Sequence, residues 1–182
     1  MADGNDNNLD TLDYNPHNID AEQALLGTLL INNEVFDSIY TIIDSEHFFD
    51  PVHARIFDVM AQKIQKNTLA SPVTIKPFFE SDEALKELGG SSYLVRLASA
   101  AISSFAAKEF AVLIRDMSLR RSLMNVANDI SQRATTMSVD QTAEDQIVEA
   151  EQALYNLSNL GKEDTGFKSF VSATTDAIDI AK

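Results

Sequence analysis

Apolar residues recur at helical spacing along most of the chain, and short polar or proline-containing segments interrupt them. The first such run predicts a helix with one apolar face, formed by Ala21, Ala24, Leu25, Leu29 and Leu30. Asn18 can cap this helix, and Asp20 and Glu22 lie in its first turn, where negative charge is favourable. A second helix is predicted at 35–43, after the break at Asn32.

Capping residues followed by proline mark two further helix starts. Asp50 precedes Pro51 and predicts a helix that reaches about residue 65. Ser71 precedes Pro72 in the same way, and we interpret 73–79 as a short helix, with a β-strand as the alternative. Ser81 is expected to cap another short helix, which Gly89-Gly90 ends.

The segment 104–134 contains neither proline nor glycine and predicts a helix of roughly 45 Å. A polar turn at 135–141 precedes a second helix, whose apolar residues alternate at spacings of four and three like a heptad seam. These residues are Ala143, Ile147, Ala150, Leu154 and Leu157. The pattern predicts an all-α protein, with a small globular helical bundle followed by a long antiparallel helical hairpin.

The long helix carries two apolar stripes, whereas one stripe suffices to pack the return helix. The first comprises Val112, Leu119, Leu123, Val126 and Ile130, and the second comprises Phe110, Leu113, Met117, Met124 and Ala127. The globular bundle could cover the second stripe, but the hairpin is too long for a bundle of about 90 residues to cover. We therefore expect a contact with another subunit. The expected interface residues of the hairpin are Val112, Leu119, Leu123, Val126, Ile130, Ile147 and Leu154.

The composition limits the possible partners. The chain of 182 residues carries 14 basic and 28 acidic side chains, a formal net charge of −14. Binding DNA needs clustered basic residues, so this balance favours protein partners over nucleic acid. The chain has no cysteine, no stretch long enough to span a membrane and no signal-peptide pattern at its start. We expect no membrane contact.

Candidate catalytic and metal-binding residues are few. His47, Asp50 and His53 could suggest a metal site, but Asp50 is better explained as a helix cap. No phosphate-binding loop is present, so no catalytic or cofactor-binding residue is predicted. The arginines of the long helix, Arg115, Arg120, Arg121 and Arg133, are interpreted as ion-pair partners of the acidic return helix rather than as a phosphate track.

Five segments in order resemble DnaB-type replicative helicases. They are 16–27 (PHNIDAEQALLG), 47–57 (HFFDPVHARIF), 89–94 (GGSSYL), 119–123 (LRRSL) and 150–154 (AEQAL). The resemblance implies the helicase N-terminal domain, a collar in which hairpins pair subunits into a trimer of dimers on a hexameric ring. It also implies docking of a DnaG-type primase, and in some bacteria of a helicase loader, in the cytoplasm.

The sequence patterns, together with the linker helix that the resemblance implies, divide the chain into parts. Residues 1–14 are expected to be a disordered tail, 15–103 the globular part, 104–160 the hairpin, and 161–182 a linker with the start of a linker helix. The amphipathic residues Phe167, Phe170, Val171 and Ile178 would belong to that linker helix.

The family's motor domain has no counterpart in the sequence, so we interpret the chain as the N-terminal part of a longer helicase. ATP, magnesium and most DNA contacts would belong to that motor domain, in an ATP-dependent 5′–3′ DNA helicase. A stand-alone acidic helical adaptor that binds a helicase or a primase is the alternative hypothesis.

Overall fold

The computed structural model describes residues 15–136 and 141–160. Within these ranges the chain forms α-helices and short 3₁₀ helices and no β-strand, which confirms the all-α prediction. The α-helices are α1 Ile19–Ile31, α2 Phe36–Ile39, α3 Pro51–Gln65, α4 Pro72–Ile75, α5 Glu83–Glu87, α6 Ser91–Ser99, α7 Ser104–Thr135 and α8 Ala143–Leu160. The 3₁₀ helices are Asn33–Val35, Ser45–His47 and Lys76–Phe79.

Helix α1 is the centre of the globular part and packs against α3, α6 and α7. All five residues of the predicted apolar face are buried, but so are Leu26, Gly27 and Thr28, so burial extends beyond that one face. Leu26 lies outside the predicted face, yet it is fully buried. The reason is that neighbouring helices surround α1, and a helix enclosed in this way needs apolar or internally bonded residues on every side.

The helix starts largely follow the predicted caps. The side chains of Asn18 and Asp50 accept hydrogen bonds from the backbone N–H groups of Ala21 (2.9 Å) and Val52 (2.7 Å), respectively. Ser71 caps α4, and the segment 73–79 is helical rather than extended. The prediction that Ser81 caps this helix is wrong, because the side chain of Asp82 caps α5. A carboxylate competes well for a helix N-cap.

Helix α1 crosses α6 at very short range. A Cβ atom added to Gly27 would lie 2.0 Å from the carbonyl oxygen of Leu97, which is far inside van der Waals contact. One residue further, the Thr28 hydroxyl accepts a hydrogen bond from the backbone N–H of Ile102 (2.9 Å). This threonine thereby fixes the chain between α6 and α7.

The long helix α7 spans Ser104–Thr135, which agrees with the predicted length. Its first half lies on the globular part through the buried residues Ala107, Ala111 and Ile114, which belong to neither predicted stripe. Its second half packs against α8. Below we call residues 15–103 the head, and α7 with α8 the hairpin.

A membrane span would need one long apolar helix. No single helix among the described residues meets that condition, and α6 and α7 meet it only as a pair bent by 114°.

The close crossing predicts that Gly27→Ala destabilises the protein. Alanine normally favours a helix over glycine by about 1 kcal/mol, but here its methyl group collides with the backbone of α6. We expect the free energy of unfolding in urea to fall by about 1–3 kcal/mol, as for other overpacked cores. A gain in stability would show that α1 and α6 do not approach as described.

Candidate interaction surfaces of the hairpin

Arg121 connects the hairpin to the head. Its two terminal nitrogens donate hydrogen bonds to the backbone carbonyls of Pro16 (2.8 Å) and His47 (2.7 Å). The planar guanidinium is suited to this, because its donors form a rigid fork. One side chain in the middle of α7 thus binds both the start of the head and the segment before α3.

Aromatic rings complete the same contact. The guanidinium of Arg121 lies over the ring of Phe49, 5.6 Å from its centre. The ring of Phe49 also stacks on His17, with centroids 4.2 Å apart. Burial lowers the pKa of Arg121, and Glu22 opposes this effect. We call Arg121, Pro16, His17, His47 and Phe49 the junction; it sets where the hairpin leaves the head.

The two helices of the hairpin pack against each other and carry half-buried side chains. On α7 these include Leu119, Ser122, Val126 and Ile130, and on α8 they include Gln146, Ala150, Ala153 and Leu157. Arg133 of α7 forms an ion pair with Glu149 of α8 at 2.7 Å, near the turn. The α8 side of this contact differs from the predicted seam, because Ala153 and Gln146 face inward where Leu154 and Ile147 were expected.

The structure therefore divides the seven residues predicted for the interface into two groups. Leu119, Val126 and Ile130 are half-buried between α7 and α8. The other four are exposed, at 52% for Val112, 50% for Leu123, 59% for Ile147 and 44% for Leu154. The residues Phe167, Phe170, Val171 and Ile178 lie outside the described residues, as do residues 1–14.

Helix α8 also exposes Val148 and Tyr155, which follow Ile147 and Leu154 directly in sequence. Positions i, i+1, i+7 and i+8 lie on one side of an α-helix. These four residues therefore form a continuous apolar strip, which we call the outer strip. Sequence reasoning found half of it, because a heptad pattern selects only one residue of each adjacent pair.

The arginines of the hairpin only partly follow their predicted role. Arg133 pairs with the acidic return helix as predicted, and also with Asp129 of its own helix. Arg120 pairs instead with Asp116, one turn earlier on α7. Arg121 binds backbone carbonyls in the junction.

A buried polar cluster in the head has no counterpart in the sequence predictions. The Glu22 carboxylate, 1% exposed, lies 2.7 Å from Nδ1 of the fully buried His53. Nε2 of His53 lies 2.5 Å from the hydroxyl of Tyr93. His53, a weak metal candidate in the sequence, is thus part of the core, and no metal-binding group of side chains exists among the described residues.

This cluster could have been found from helical register. Glu22 lies in line with Leu26 and Leu29 on α1, and His53 lies in line with Ile56 and Met60 on α3. A polar residue within an apolar stripe indicates a buried partner. Burial raises the pKa of the Tyr93 hydroxyl, which therefore stays protonated. The carboxyl, imidazole and phenol groups are enclosed in the core and have a stabilising role.

Fold and surfaces together define a class: an all-helical domain in which a head carries a long hairpin with an exposed apolar strip. Such surfaces are typical of protein assembly. The model of the DnaB-like helicase N-terminal domain matches residues 14–116. The chain therefore belongs to the DnaB-like helicase N-terminal domain family.

Relatives in sequence agree with this assignment. The chain is 32% identical over 163 residues to the replicative DNA helicase DnaB of Rickettsia typhi, a match that covers 90% of this chain and 33% of that protein. It is 28% identical over 146 residues to DnaB of Treponema pallidum, covering 79% of this chain and 32% of that protein. The chain thus spans about a third of the length of these relatives.

Solved structures of helicase domains share the fold. The N-terminal domain of DnaB helicase from Mycobacterium tuberculosis superimposes with a TM-score of 0.69 at 20% identity, covering 78% of this chain and 99% of that one. A DnaB-like replicative helicase, described with its interactions with primase, gives a TM-score of 0.59 at 22% identity and covers 89% of this chain and 35% of that one.

The junction predicts that Arg121→Lys loosens the hairpin. Lysine keeps the charge but loses the fork that reaches both carbonyls. We expect hydrogen exchange to accelerate in the first half of α7 and around residues 47–49, and the free energy of unfolding to fall by about 1.5–3 kcal/mol, the usual range for a hydrogen bond to a charged group.

Arg120→Lys is the matched control, because Arg120 is the neighbouring residue and, among the residues that the structure describes, pairs only with Asp116 of its own helix. Equal hydrogen-exchange rates in the two variants would show that the junction does not hold the hairpin against the head.

Proposed function

We propose that this chain acts as the N-terminal collar of a hexameric replicative DNA helicase, where it pairs subunits and docks primase. One observation carries the proposal: a domain of this family exposes a strip of large apolar side chains on its hairpin. Fully burying one such side chain contributes about 1.5–3 kcal/mol. Several of them on one side of a helix favour association over exposure to water.

The exposed apolar residues supply the proposed contact between subunits. Leu123 on α7 and the outer strip of α8, with Ile147 and Leu154, are between 44% and 64% exposed. Val112 precedes Leu123 on the same side of α7 and is also exposed. We assign these residues to the partner subunit, and Leu119, Val126 and Ile130 to the contact between α7 and α8.

The division of the chain supports this role. We propose that residues 15–103 form one unit and 104–160 a second, and that 1–14 and 161–182 lie outside both. The residues Phe167, Phe170, Val171 and Ile178 would form a linker helix that leads to a motor domain. Binding of ATP, magnesium and DNA would belong to the part of the relatives' length that this chain does not span.

Primase is the proposed external partner. The structural neighbour at a TM-score of 0.59 is a DnaB-like helicase described with its interactions with primase. A net charge of −14 also favours a partner with basic surfaces. We further propose a trimer of dimers in the complete ring, a helicase loader as an additional partner, and a cytoplasmic location. The comparisons support this function rather than the stand-alone adaptor, because they match helicases.

If the outer strip pairs subunits, a charge placed on it should weaken self-association. Leu154→Glu should shift the monomer–dimer midpoint in sedimentation velocity to at least about tenfold higher concentration, because burying an unpaired carboxylate costs more than 1.4 kcal/mol. Asn156→Glu is the control, since it adds the same charge at an exposed position on another side of α8. A wild-type chain that stays monomeric at high concentration would contradict the pairing.

Primase docking predicts saturable binding of the cognate primase C-terminal domain to the full chain in a calorimetric titration. The affinity should fall as salt is raised, because an acidic surface attracts its partner electrostatically. A basic protein of similar size serves as the control for non-specific attraction. Equal heats for the control and the primase domain would remove the primase assignment and leave self-association intact.

A further inference from the structure

Residues 59–79 of the head differ in charge from the chain as a whole. This segment includes the end of α3, the loop after it, α4 and the 3₁₀ helix Lys76–Phe79. It contains Lys63, Lys66 and Lys76 and no aspartate or glutamate, although the whole chain carries 28 acidic residues. The segment is therefore a locally basic part of an acidic protein.

The same segment exposes large apolar side chains. Val73 is 80% exposed, Leu69 64% and Phe78 61%. The ammonium group of Lys63 lies over the ring of Phe78, 5.7 Å from its centroid, so basic and apolar side chains adjoin. Single exposed apolar residues are common on protein surfaces, whereas a group of them typically marks an interaction site. We define the head patch as Lys63, Lys66, Leu69, Val73, Lys76 and Phe78.

Hydrogen bonds hold the backbone of the head patch in place. The side chain of Asn33, next to α1, bonds both the N–H and the carbonyl of Ala70, at 2.9 and 2.8 Å. The hydroxyl of Thr74 donates to the carbonyl of Leu69 (2.7 Å). Ile75, between Val73 and the 3₁₀ helix, is fully buried in the core. A surface that is formed in advance loses little conformational entropy when a partner binds.

The charges of the head patch favour an acidic partner. Among the residues that the structure describes, the ammonium groups of Lys66 and Lys76 form no ion pair. Glu80 follows the segment directly and supplies a single negative charge, while Asp82 binds Arg55 through two hydrogen bonds (2.9 and 3.1 Å). The three lysines therefore attract carboxylates from outside the head.

The side chains of the head patch favour a peptide over a nucleic acid. Leu69 and Val73 are aliphatic, and Phe78 alone of the six residues is aromatic. Single-stranded nucleic acid is bound by several aromatic rings on which successive bases stack. A short acidic peptide also carries far fewer charges than a polynucleotide, so a chain with a net charge of −14 repels it less.

We propose that the head patch binds an acidic amphipathic segment of a partner protein. Apolar side chains of that segment cover Leu69, Val73 and Phe78, and its carboxylates pair with Lys66 and Lys76. The site is on the head, where α4 and the 3₁₀ helix after it pack against α6, whereas the proposed contact between subunits is on the hairpin. Binding at the head patch requires neither self-association nor primase docking.

A titration with a designed peptide tests the head patch in the full chain. The probe is a short fluorescein-labelled peptide in which aspartate alternates with leucine and phenylalanine. We expect saturable binding in fluorescence anisotropy and shifts of the backbone NMR signals of residues 63–78. The same peptide with asparagine in place of aspartate should bind about tenfold more weakly, because it forms no charge pairs with the lysines. Equal affinity for both peptides, or no binding of the acidic one, would overturn the proposal.

Two charge variants separate the head patch from general attraction. Lys66→Glu with Lys76→Glu should weaken binding of the acidic peptide by at least about tenfold, because it replaces attraction by repulsion. Lys86→Glu with Lys108→Glu makes the same change of charge at exposed lysines outside the patch. This control should change the affinity by less than about threefold, because exposed charges are screened in physiological salt. Equal losses in the two variants would contradict a site at the head patch.

The apolar contact and the other possible occupants are tested in the same way. Val73→Ser should weaken binding about threefold or more, and Val95→Ser, at an exposed position of α6, should not. An oligothymidylate that shifts the same signals at equal or lower concentration would overturn the proposal in favour of nucleic acid. Loss of self-association in the variant with Lys66→Glu and Lys76→Glu would overturn it in favour of a second copy of the chain.

Discussion

The buried carboxylate of Glu22 is the interaction on which the rest of the head depends. It accepts hydrogen bonds from the backbone N–H groups of Phe49 (2.6 Å) and Asp50 (3.3 Å) and faces His53 at 2.7 Å. A charge without such partners would be too costly in a core. Phe49, Asp50 and His53 all lie at or just before the start of α3, so the carboxylate ties α1 to this region and, through His53 and Tyr93, to α6.

The same bonds fix the surface that receives the hairpin. Glu22 holds the backbone of residues 49 and 50, and this segment carries the ring of Phe49 and follows the carbonyl of His47. Arg121 binds that carbonyl and lies over that ring. The direction of the hairpin therefore depends on a polar side chain buried in the head. The same contact sets the position of the exposed apolar residues, which lie far along α7 and α8.

The polar and apolar surfaces of the hairpin contribute differently to binding. The outer strip of α8 exposes Ile147, Val148, Leu154 and Tyr155, and acidic residues such as Glu144 and Glu151 are exposed beside it. Apolar area supplies the free energy of a contact, whereas charge selects among partners and governs the rate of encounter. This combination agrees with a domain that handles proteins, in a family whose relatives are DNA helicases.

The sequence by itself determined the all-α class, the caps at Asn18, Asp50 and Ser71, the length of α7 and the family. These features depend on local backbone chemistry and on ordered motifs. The tertiary structure alone decided that α1 is enclosed on every side, that Glu22 meets His53, and that Arg121 binds the head instead of α8. It also decided which hairpin residues face water. Periodicity shows that residues share a helix face, but only the neighbouring elements decide what that face contacts.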